Sequence, residues 1–280
     1  MELKHINLIY PQWQGGGPII DTWTGAEIIK RDLFKNNDYD EIQVSTNPLS
    51  GLKNDIWGYD DILIQMNSAK NELENLNPDN LFTIGAACDS DIIPASYINQ
   101  KMDGDLLIIW FDAHGDIHTP QTSPTHLFYG MPMRTLLGEG DSEYLRLITK
   151  PFIPDQLIKI AARDLESEEI SFIKEKNISS ISSFEIENHF QQSIETIKKK
   201  KKNNLYLHID LDGLDPSECS CTPVPETGGP KIKTLMKLLD YLSLNFNIIG
   251  MGLYEYSPIS NNIPAFIKDM VQFGKNSFVF

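Results

Sequence analysis

Short apolar runs alternate with longer amphipathic segments along the whole chain. Runs such as LLIIWF and NIIGMGLY lack polar alternation, which is typical of strands buried on both faces. We predict strands at Lys4–Ile9, Glu41–Gln43, Leu81–Ile84, Asp105–Phe111, Leu157–Ala161, Ile178–Ser180, Leu205–Asp210, Ile248–Tyr254 and Ser277–Phe280. We predict helices at Thr24–Leu33, Tyr59–Asn75, Ile93–Asn99, Thr135–Leu137, Glu166–Lys176, Phe184–Lys202, Lys231–Leu244 and Pro264–Phe273.

This alternation of strands and helices indicates βαβ units. It predicts an α/β fold with three α/β/α layers around a central, mostly parallel sheet. We find no internal repeat, low-complexity segment or flexible linker, so residues 1–280 are expected to form a single domain. Ligands bind such sheets at the carboxyl ends of the strands.

Two acidic segments follow apolar strands at that edge: FDAHGDIH (Phe111–His118) and HIDLDGLDP (His208–Pro216). Side chains two residues apart on a strand point to the same face, so the ligand-type residues of each segment can converge. Carboxylates in excess over imidazole suit one or two divalent cations that also hold water. The segments therefore predict metal-assisted hydrolysis. The candidate ligands are Asp112, His114, Asp116, Asp210 and Asp212.

Other residues near these segments have less specific interpretations. His208 shares a face with Asp210 and could be a further ligand, although a histidine there is more often packed beneath a metal site. Cys219 and Cys221 lack a matching Cys or His pair elsewhere, so we interpret them as ordinary loop thiols.

Composition narrows the class of protein. The net charge of −15, from 24 basic and 39 acidic residues, argues against nucleic acid or an anionic membrane as a partner. No stretch approaches the ~20 apolar residues that a membrane span needs. Three cysteines are too few for a disulfide framework, and the amino terminus lacks a secretory signal pattern, so we expect a cytoplasmic protein.

FDAHGD, HIDLDGLDP and LYEYSP, in this order, resemble the motifs of the ureohydrolases, the family of arginase, agmatinase and formimidoylglutamase. The family blocks are approximately GGDHS, DAHxDxN and SxDxDxxDP, and the resemblance extends from Gly85 to Pro258. It implies a three-layer fold with a cluster of two manganese ions, whose bridging hydroxide attacks a guanidinium or amidine carbon. It also implies a homo-oligomer, a trimer or a hexamer.

Carried over by position, the resemblance assigns roles to the candidate ligands. Asp112 and Asp210 would bridge two metals, His114 and Asp212 would complete the second site, and Asp116 would complete the first. Asp116 would also pass a proton to the leaving amine. Glu255, in LYEYSP, would grip the guanidinium group, for which a carboxylate offers a charge-assisted fork.

The first block departs from the family pattern, because GAACDS places Cys88 where the family has a histidine ligand. It resembles a less common branch that carries GGDCS. Thiolate is softer than imidazole and favours zinc or iron over manganese, so two manganese ions per chain are expected only if the Cys88 site is occupied. Alternatively, Cys88 is a small buried hydrophobic residue beside the site.

The substrate-facing positions depart as well. Tyr129 stands where the family has a histidine that helps proton transfer; a phenol is a poor shuttle at neutral pH, and His126 is an alternative. His118 and Thr125 match positions that read the substrate carboxylate in arginase, and Glu166 matches the residue that holds its α-amino group. The identity of the substrate is therefore left open.

We predict a metal-dependent hydrolase that cleaves a linear C–N bond of a small guanidino or amidino compound. Two alternatives remain at this stage. One is a catalytically impaired family member that acts as a binding or regulatory protein, which the changes at Cys88 and Tyr129 favour. The other is a single-metal hydrolase of the amide in an acetylated amine, although Glu255 would then have no explained role.

Overall fold

The computed structural model describes residues 3–18, 20–35, 38–260 and 262–279. Within these ranges the chain forms one eight-stranded sheet. All strand pairs in it are parallel. The strands are β1 (His5–Tyr10), β2 (Asp40–Glu41), β3 (Asn80–Gly85), β4 (Leu107–Phe111), β5 (Leu157–Ile160), β6 (Ser179–Ile181), β7 (Asn204–Asp210) and β8 (Asn247–Tyr254).

The helices lie between these strands and after the last one. They are α1 (Asp21–Leu33), α2 (Tyr59–Leu76), α3 (Ile92–Lys101), α4 (Pro132–Leu136), α5 (Ser142–Leu145), α6 (Ser167–Glu175), α7 (Ser183–Asn188), α8 (Phe190–Lys198), α9 (Ile232–Asn245) and α10 (Ala265–Lys275). In the described part of the chain, none of them is both long and apolar enough to cross a membrane.

Two apolar cores lie on opposite faces of the sheet. On β4, Ile109 and Phe111 belong to one core, whereas Ile108 and Trp110 belong to the other. Alternate residues of a strand point to opposite faces, so the sheet is covered on both sides. The first core includes residues of α1, α8, α9 and α10, and the second includes residues of α2 and α3. The predicted three-layer α/β/α fold is confirmed.

The strand order β2-β1-β3-β8-β7-β4-β5-β6 positions the site. The two strands that carry the acidic motifs, β4 and β7, are neighbours in the middle of the sheet. Strand β8 pairs with β7 on its other side, and β3 follows. Because the strands are parallel, the residues that follow β3, β4, β7 and β8 meet at one edge.

The strands β1 to β8 agree with the prediction to within two residues at each end. The ninth predicted strand, Ser277–Phe280, is wrong for residues 277–279, and Phe280 lies outside the described residues. These residues follow α10 without pairing to the sheet. The apolar residue that suggested a strand, Phe278, packs on Phe273 in the core. Strand-like composition there reflects burial rather than pairing.

The predicted helix Phe184–Lys202 is also wrong as a single element. It is divided into α7 and α8 by His189, whose φ of −128° and ψ of 44° are not helical. The second of these helices already ends at Lys198. The apolar periodicity continues across the break because both helices have buried faces, which include Ile186 and Ile194.

Candidate metal centre

The predicted ligands converge at the carboxyl edge of the sheet. Asp112 follows β4, Asp210 ends β7, and Cys88 lies in a short 3-10 turn after β3. Among the residues described, ligand atoms of three overlapping groups lie within 4.8 Å of one another in each group. The groups are Asp112 with His114 and Asp212, Cys88 with Asp112, Asp116 and His208, and Cys88 with Asp210 and Glu255.

The first of these groups is built around an imidazole. His114 Nδ1 lies 2.9 Å from Asp212 Oδ2 and 3.6 Å from Asp112 Oδ1. Backbone amides fix both carboxylates, since His114 N donates to Asp112 Oδ1 at 2.6 Å and Ala113 N donates to Asp212 Oδ1 at 3.1 Å. The residues predicted for the second metal site are therefore adjacent and oriented.

The second group shares Asp112 with the first. Trp110 Nε1 donates to Asp112 Oδ2 at 2.9 Å and to Asp116 Oδ2 at 3.2 Å, which holds the two carboxylates beside one another. The Cys88 thiol donates to Asp210 Oδ2 at 2.7 Å. Asp112 thus takes part in two adjacent ligand groups, as a bridging carboxylate must.

Two residues of the centre adopt left-handed backbone conformations. Asp116 has a φ of 58° and Glu255 a φ of 60°, which is unusual for residues other than glycine. Such strain collects at functional sites, where the surrounding structure enforces it. Glu255 is held by its amide, which donates to Ala86 O at 2.8 Å, and this contact ties the end of β8 to the turn after β3.

Most carboxylates of the centre are buried and repel one another. Burial is the largest cause that raises the pKa of each of these acids, and the negative charges of neighbouring carboxylates raise it further. Four residues show this effect: Asp116, Asp210, Asp212 and Glu255. Buried carboxylates of this kind are neutralised either by protonation or by a cation bound between them.

For two residues of the centre, His114 and Asp112, the neighbouring groups outweigh the effect of burial on the pKa. Burial alone would lower the pKa of His114, but its hydrogen bonds to Asp112 and Asp212 raise it above its usual value. Burial alone would raise the pKa of Asp112, but His114 and the Lys159 ammonium hold it below its usual value. Asp112 is thus the carboxylate best prepared to remain charged, which suits a shared ligand. The donor set and its charge fit divalent cations.

Cys88 is buried and close to this negative charge. Burial, and then the charge of Asp210, raise the pKa of the Cys88 thiol well above its usual value. The thiol therefore stays protonated unless a cation lies beside it, because a metal ion deprotonates a coordinating thiol.

A small cavity leads to the centre. It has a volume of about 70 Å³ and is lined by Gly16, Thr22, Ala87, Leu127, Tyr129, Pro223, Val224 and Glu255. Burial, and then the Glu255 charge, raise the pKa of Tyr129 to about 12. His126 does not line this cavity; its Nδ1 lies 3.2 Å from the Asp55 carbonyl oxygen. Tyr129, not His126, is the residue that the structure brings to the site.

The structure brings together only two of the three residues that were predicted to contact the carboxylate and α-amino groups of a substrate. His118 is buried, with Nε2 3.1 Å from Glu166 Oε2 and Nδ1 3.1 Å from Thr122 Oγ1. Thr125 is exposed, and its hydroxyl accepts a hydrogen bond from Leu127 N within its own loop. His118 and Glu166 thus form a pair, whereas Thr125 lies apart from it.

Sequence reasoning missed three buried residues around the centre: Asp91, Lys159 and Glu169. Lys159 is fully buried, and its Nζ donates to Gly115 O within the metal-binding segment. The available signal was a lone charged residue in a buried apolar strand, since LIKI forms β5. Such a charge is rarely buried without a partner.

The fold and the site together define an α/β protein with a carboxylate-rich candidate metal centre at the carboxyl edge of a parallel sheet. A model of the arginase family matches residues 91–265. An arginase of Staphylococcus aureus (strain MRSA252) is 31% identical over 232 residues, covering 80% of this chain and 77% of the relative. The chain belongs to the arginase family and is a ureohydrolase-type hydrolase.

Solved structures agree on the fold. Entamoeba histolytica arginase in complex with L-ornithine matches with a TM-score of 0.85 and 18% identity, covering 99% of each chain. Formimidoylglutamase from Bacillus subtilis subsp. subtilis str. 168 matches with a TM-score of 0.73 and 16% identity, covering 99% of this chain and 88% of that one. The same fold thus accommodates enzymes with different names, so it does not identify the substrate.

Proposed function

We propose that the protein is a binuclear metal-dependent hydrolase that cleaves the linear C–N bond of a small guanidino or amidino compound. The observation that carries this proposal is the sharing of Asp112 between two adjacent ligand groups. A single-metal site needs one such group. Glu255 adds a buried carboxylate at the cavity, which suits a planar cationic substrate.

Asp112 and Asp210 would hold both cations, with Cys88 and Asp116 at the first site and His114 and Asp212 at the second. Two divalent cations, when bound, make hydroxide available near neutral pH. Cys88 favours zinc or iron at the first site, whereas the oxygen-rich second site suits manganese.

The chain's own residues would orient the substrate and move protons. Glu255 would pair with the guanidinium or amidinium group and orient its carbon toward the centre. Asp116 lies beside Asp112 and would pass a proton to the leaving amine. Tyr129, at the same cavity, would donate a hydrogen bond and exclude water.

The experiment is a substrate panel on protein of known metal content. Guanidino, amidino and acetylamine compounds are supplied, and urea, the carboxamide, acetate and the released amine are measured. We expect urea from a guanidino compound or a carboxamide from an amidino compound, each together with the free amine, loss of activity in Asp212→Asn, and no loss in Asp269→Asn, an exposed position on α10. Acetate release alone, or no product from fully loaded protein, would contradict the proposal.

We also propose that the protein acts in the cytoplasm as a homo-oligomer, a trimer or a hexamer. The oligomer rests on the resemblance to the ureohydrolases, and the cytoplasm rests on the few cysteines. Light scattering on the purified protein at several concentrations measures the molecular mass. A monomer at all concentrations would contradict the assembly.

A further inference from the structure

His208 is a buried histidine at the centre that the roles proposed above do not use. It lies on β7 two residues before Asp210, and it is paired in register with Trp110 of β4. Its side chain is fully buried. A ring nitrogen of His208 and ligand atoms of Cys88, Asp112 and Asp116 all lie within 4.8 Å of one another.

Hydrogen bonds on the far side of the ring determine which nitrogen is free. His208 Nδ1 lies 2.8 Å from Asp91 Oδ2, and the hydroxyls of Tyr206 and Tyr254 both donate to Asp91 Oδ1. A carboxylate surrounded by phenol donors acts as an acceptor, so Nδ1 carries the ring proton. Nε2 then presents a lone pair, and it has no hydrogen-bond partner among the described residues.

The ring is also fixed in its plane. Trp110 stacks on one face, with 3.5 Å between ring centroids and an interplanar angle of 3°, and Tyr254 stacks at 4.6 Å and 10°. The same Trp110 donates to Asp112 and Asp116. A histidine that served only as packing would leave Nε2 buried and unpaired, which is unfavourable for a polar atom.

We propose that His208 Nε2 is a ligand of the first metal site and supplies there the imidazole that Cys88 does not. The carboxylate of Asp91 behind the ring completes the carboxylate–histidine–metal arrangement that orients such ligands. The first site then offers a thiolate, an imidazole and carboxylates, a donor set that suits zinc, iron or cobalt better than manganese. This inference rests on the binuclear centre proposed above.

X-ray absorption at the zinc edge tests the inference on the unaltered protein. The zinc-loaded protein is first shown by elemental analysis to hold two ions per chain. We expect one sulfur ligand for every two zinc ions and an average of one imidazole per zinc, from His114 and His208. An average of half an imidazole per zinc would overturn the inference, and so would a single zinc without a sulfur ligand.

Variants provide a second measurement. His208→Ser is expected to lose one metal per chain while His114 retains the other, and Asp91→Asn is expected to weaken the first site about 10–100-fold. His189→Gln, which removes an imidazole that contacts Phe184 outside the centre, should keep both metals. If His208→Ser binds two metals with unchanged affinity, the inference is wrong; if it does not fold, the absorption spectrum decides.

The proposed function and the proposed His208 ligand can be contradicted independently of each other. Two imidazoles across two metals, with no product from the substrate panel, would support the His208 ligand and contradict the guanidino hydrolase. Product formation with a single imidazole across two metals would support the hydrolase and overturn the ligand. A protein that binds no metal would contradict both.

Discussion

At the scale of single residues, Cys88 is the residue that we propose sets the metal preference of the first site. Its thiol is buried at the edge of the apolar core and lies 2.7 Å from Asp210 Oδ2, a position from which it could bind a cation. Sulfur favours zinc and iron, whereas imidazole is compatible with a wider range of metals. Exchanging one for the other should therefore change selectivity more than the fold.

We expect Cys88→His to raise the affinity for manganese relative to zinc. The added imidazole replaces the soft donor while Asp112 and Asp116 remain in place. Competition between the two ions, followed by elemental analysis, measures the change. Cys221→Ser, which removes a thiol of the separate Cys219–Cys221 pair, is the control. An unchanged ratio of metals would show that Cys88 is not a ligand.

Tyr129 should make only a modest contribution to turnover. With its pKa raised to about 12, the phenol stays protonated at neutral pH and can donate a hydrogen bond but not relay protons. We expect Tyr129→Phe to lower kcat by less than about tenfold, the effect of one lost hydrogen bond. His126→Gln should leave kcat unchanged. A loss of several hundredfold in either variant would identify a proton shuttle.

The spacing of the acidic motif predicted which residues collect at the end of β4, but not by the alternation of a strand. Asp112, His114 and Asp116 all follow β4, which ends at Phe111, and Asp112 joins His114 in one ligand group and Asp116 in another. The orientation of His208 could not be predicted, because it depends on Asp91 and Tyr254, which lie far from it in sequence. Contacts between distant segments leave no local pattern.

At the scale of elements, α6 supports the loop that carries Asp116. The buried Glu169 carboxylate of this helix accepts hydrogen bonds from Glu166 N at 3.1 Å and from Ile117 N at 3.2 Å. Gly115 lies against the same carboxylate, since a Cβ there would come within 2.0 Å of Glu169 Oε1. The helix start and the loop after β4 are thus joined by one side chain.

Glu169 should make stability depend on pH. Burial, and then its hydrogen bond with Glu166, raise the pKa of Glu169 from 4.5 to about 7. An acid with a raised pKa binds its proton more tightly in the folded state, so the stability present below pH 4.5 is lost as the pH rises through 7. This loss is on the order of 3 kcal/mol.

Glu169→Gln should remove this dependence. Its free energy of unfolding, measured by urea denaturation from pH 5 to pH 8, should fall less with rising pH than that of the unaltered protein. Glu168→Gln, an exposed neighbour on α6, should keep the original slope. Parallel curves for the Glu169 variant and the unaltered protein would contradict the assignment.

Element boundaries show what local pattern can and cannot predict. Buried parallel strands such as β4 and β8 were predictable because their apolar runs are continuous. The break at His189 was not, because the apolar stripe continues from α7 into α8. Apolar periodicity reports which face is buried, not whether the backbone bends between two helices that share a core.

At the scale of the whole molecule, the repulsion among the buried carboxylates of the centre destabilises the fold. A chain with a net charge of −15 concentrates part of its negative charge at the carboxyl edge of the sheet, where Asp210, Asp212 and Glu255 are buried. Folding must either bind cations there or protonate carboxylates. We therefore expect metal binding and folding to be coupled, since cations stabilise only the state that assembles the ligands.

Asp210→Asn should change stability in opposite directions with and without metal. Without metal, the variant removes one of several mutually repelling buried carboxylates and keeps an oxygen for the Asp212 N hydrogen bond, so its unfolding midpoint should equal or exceed that of the unaltered protein. With metal at about 100 times the dissociation constant, the unaltered protein gains about 2.7 kcal/mol, and the variant should lose most of this gain.

Thermal unfolding of both proteins, after chelation and after reloading with manganese or zinc, measures this difference. Asp269→Asn on the surface of α10 should follow the unaltered protein under both conditions. A variant that is less stable than the unaltered protein without metal would mean that Asp210 is held by the fold itself rather than by a cation. Crossing stability curves would instead show that the buried charge is retained for metal binding at a cost to the metal-free fold.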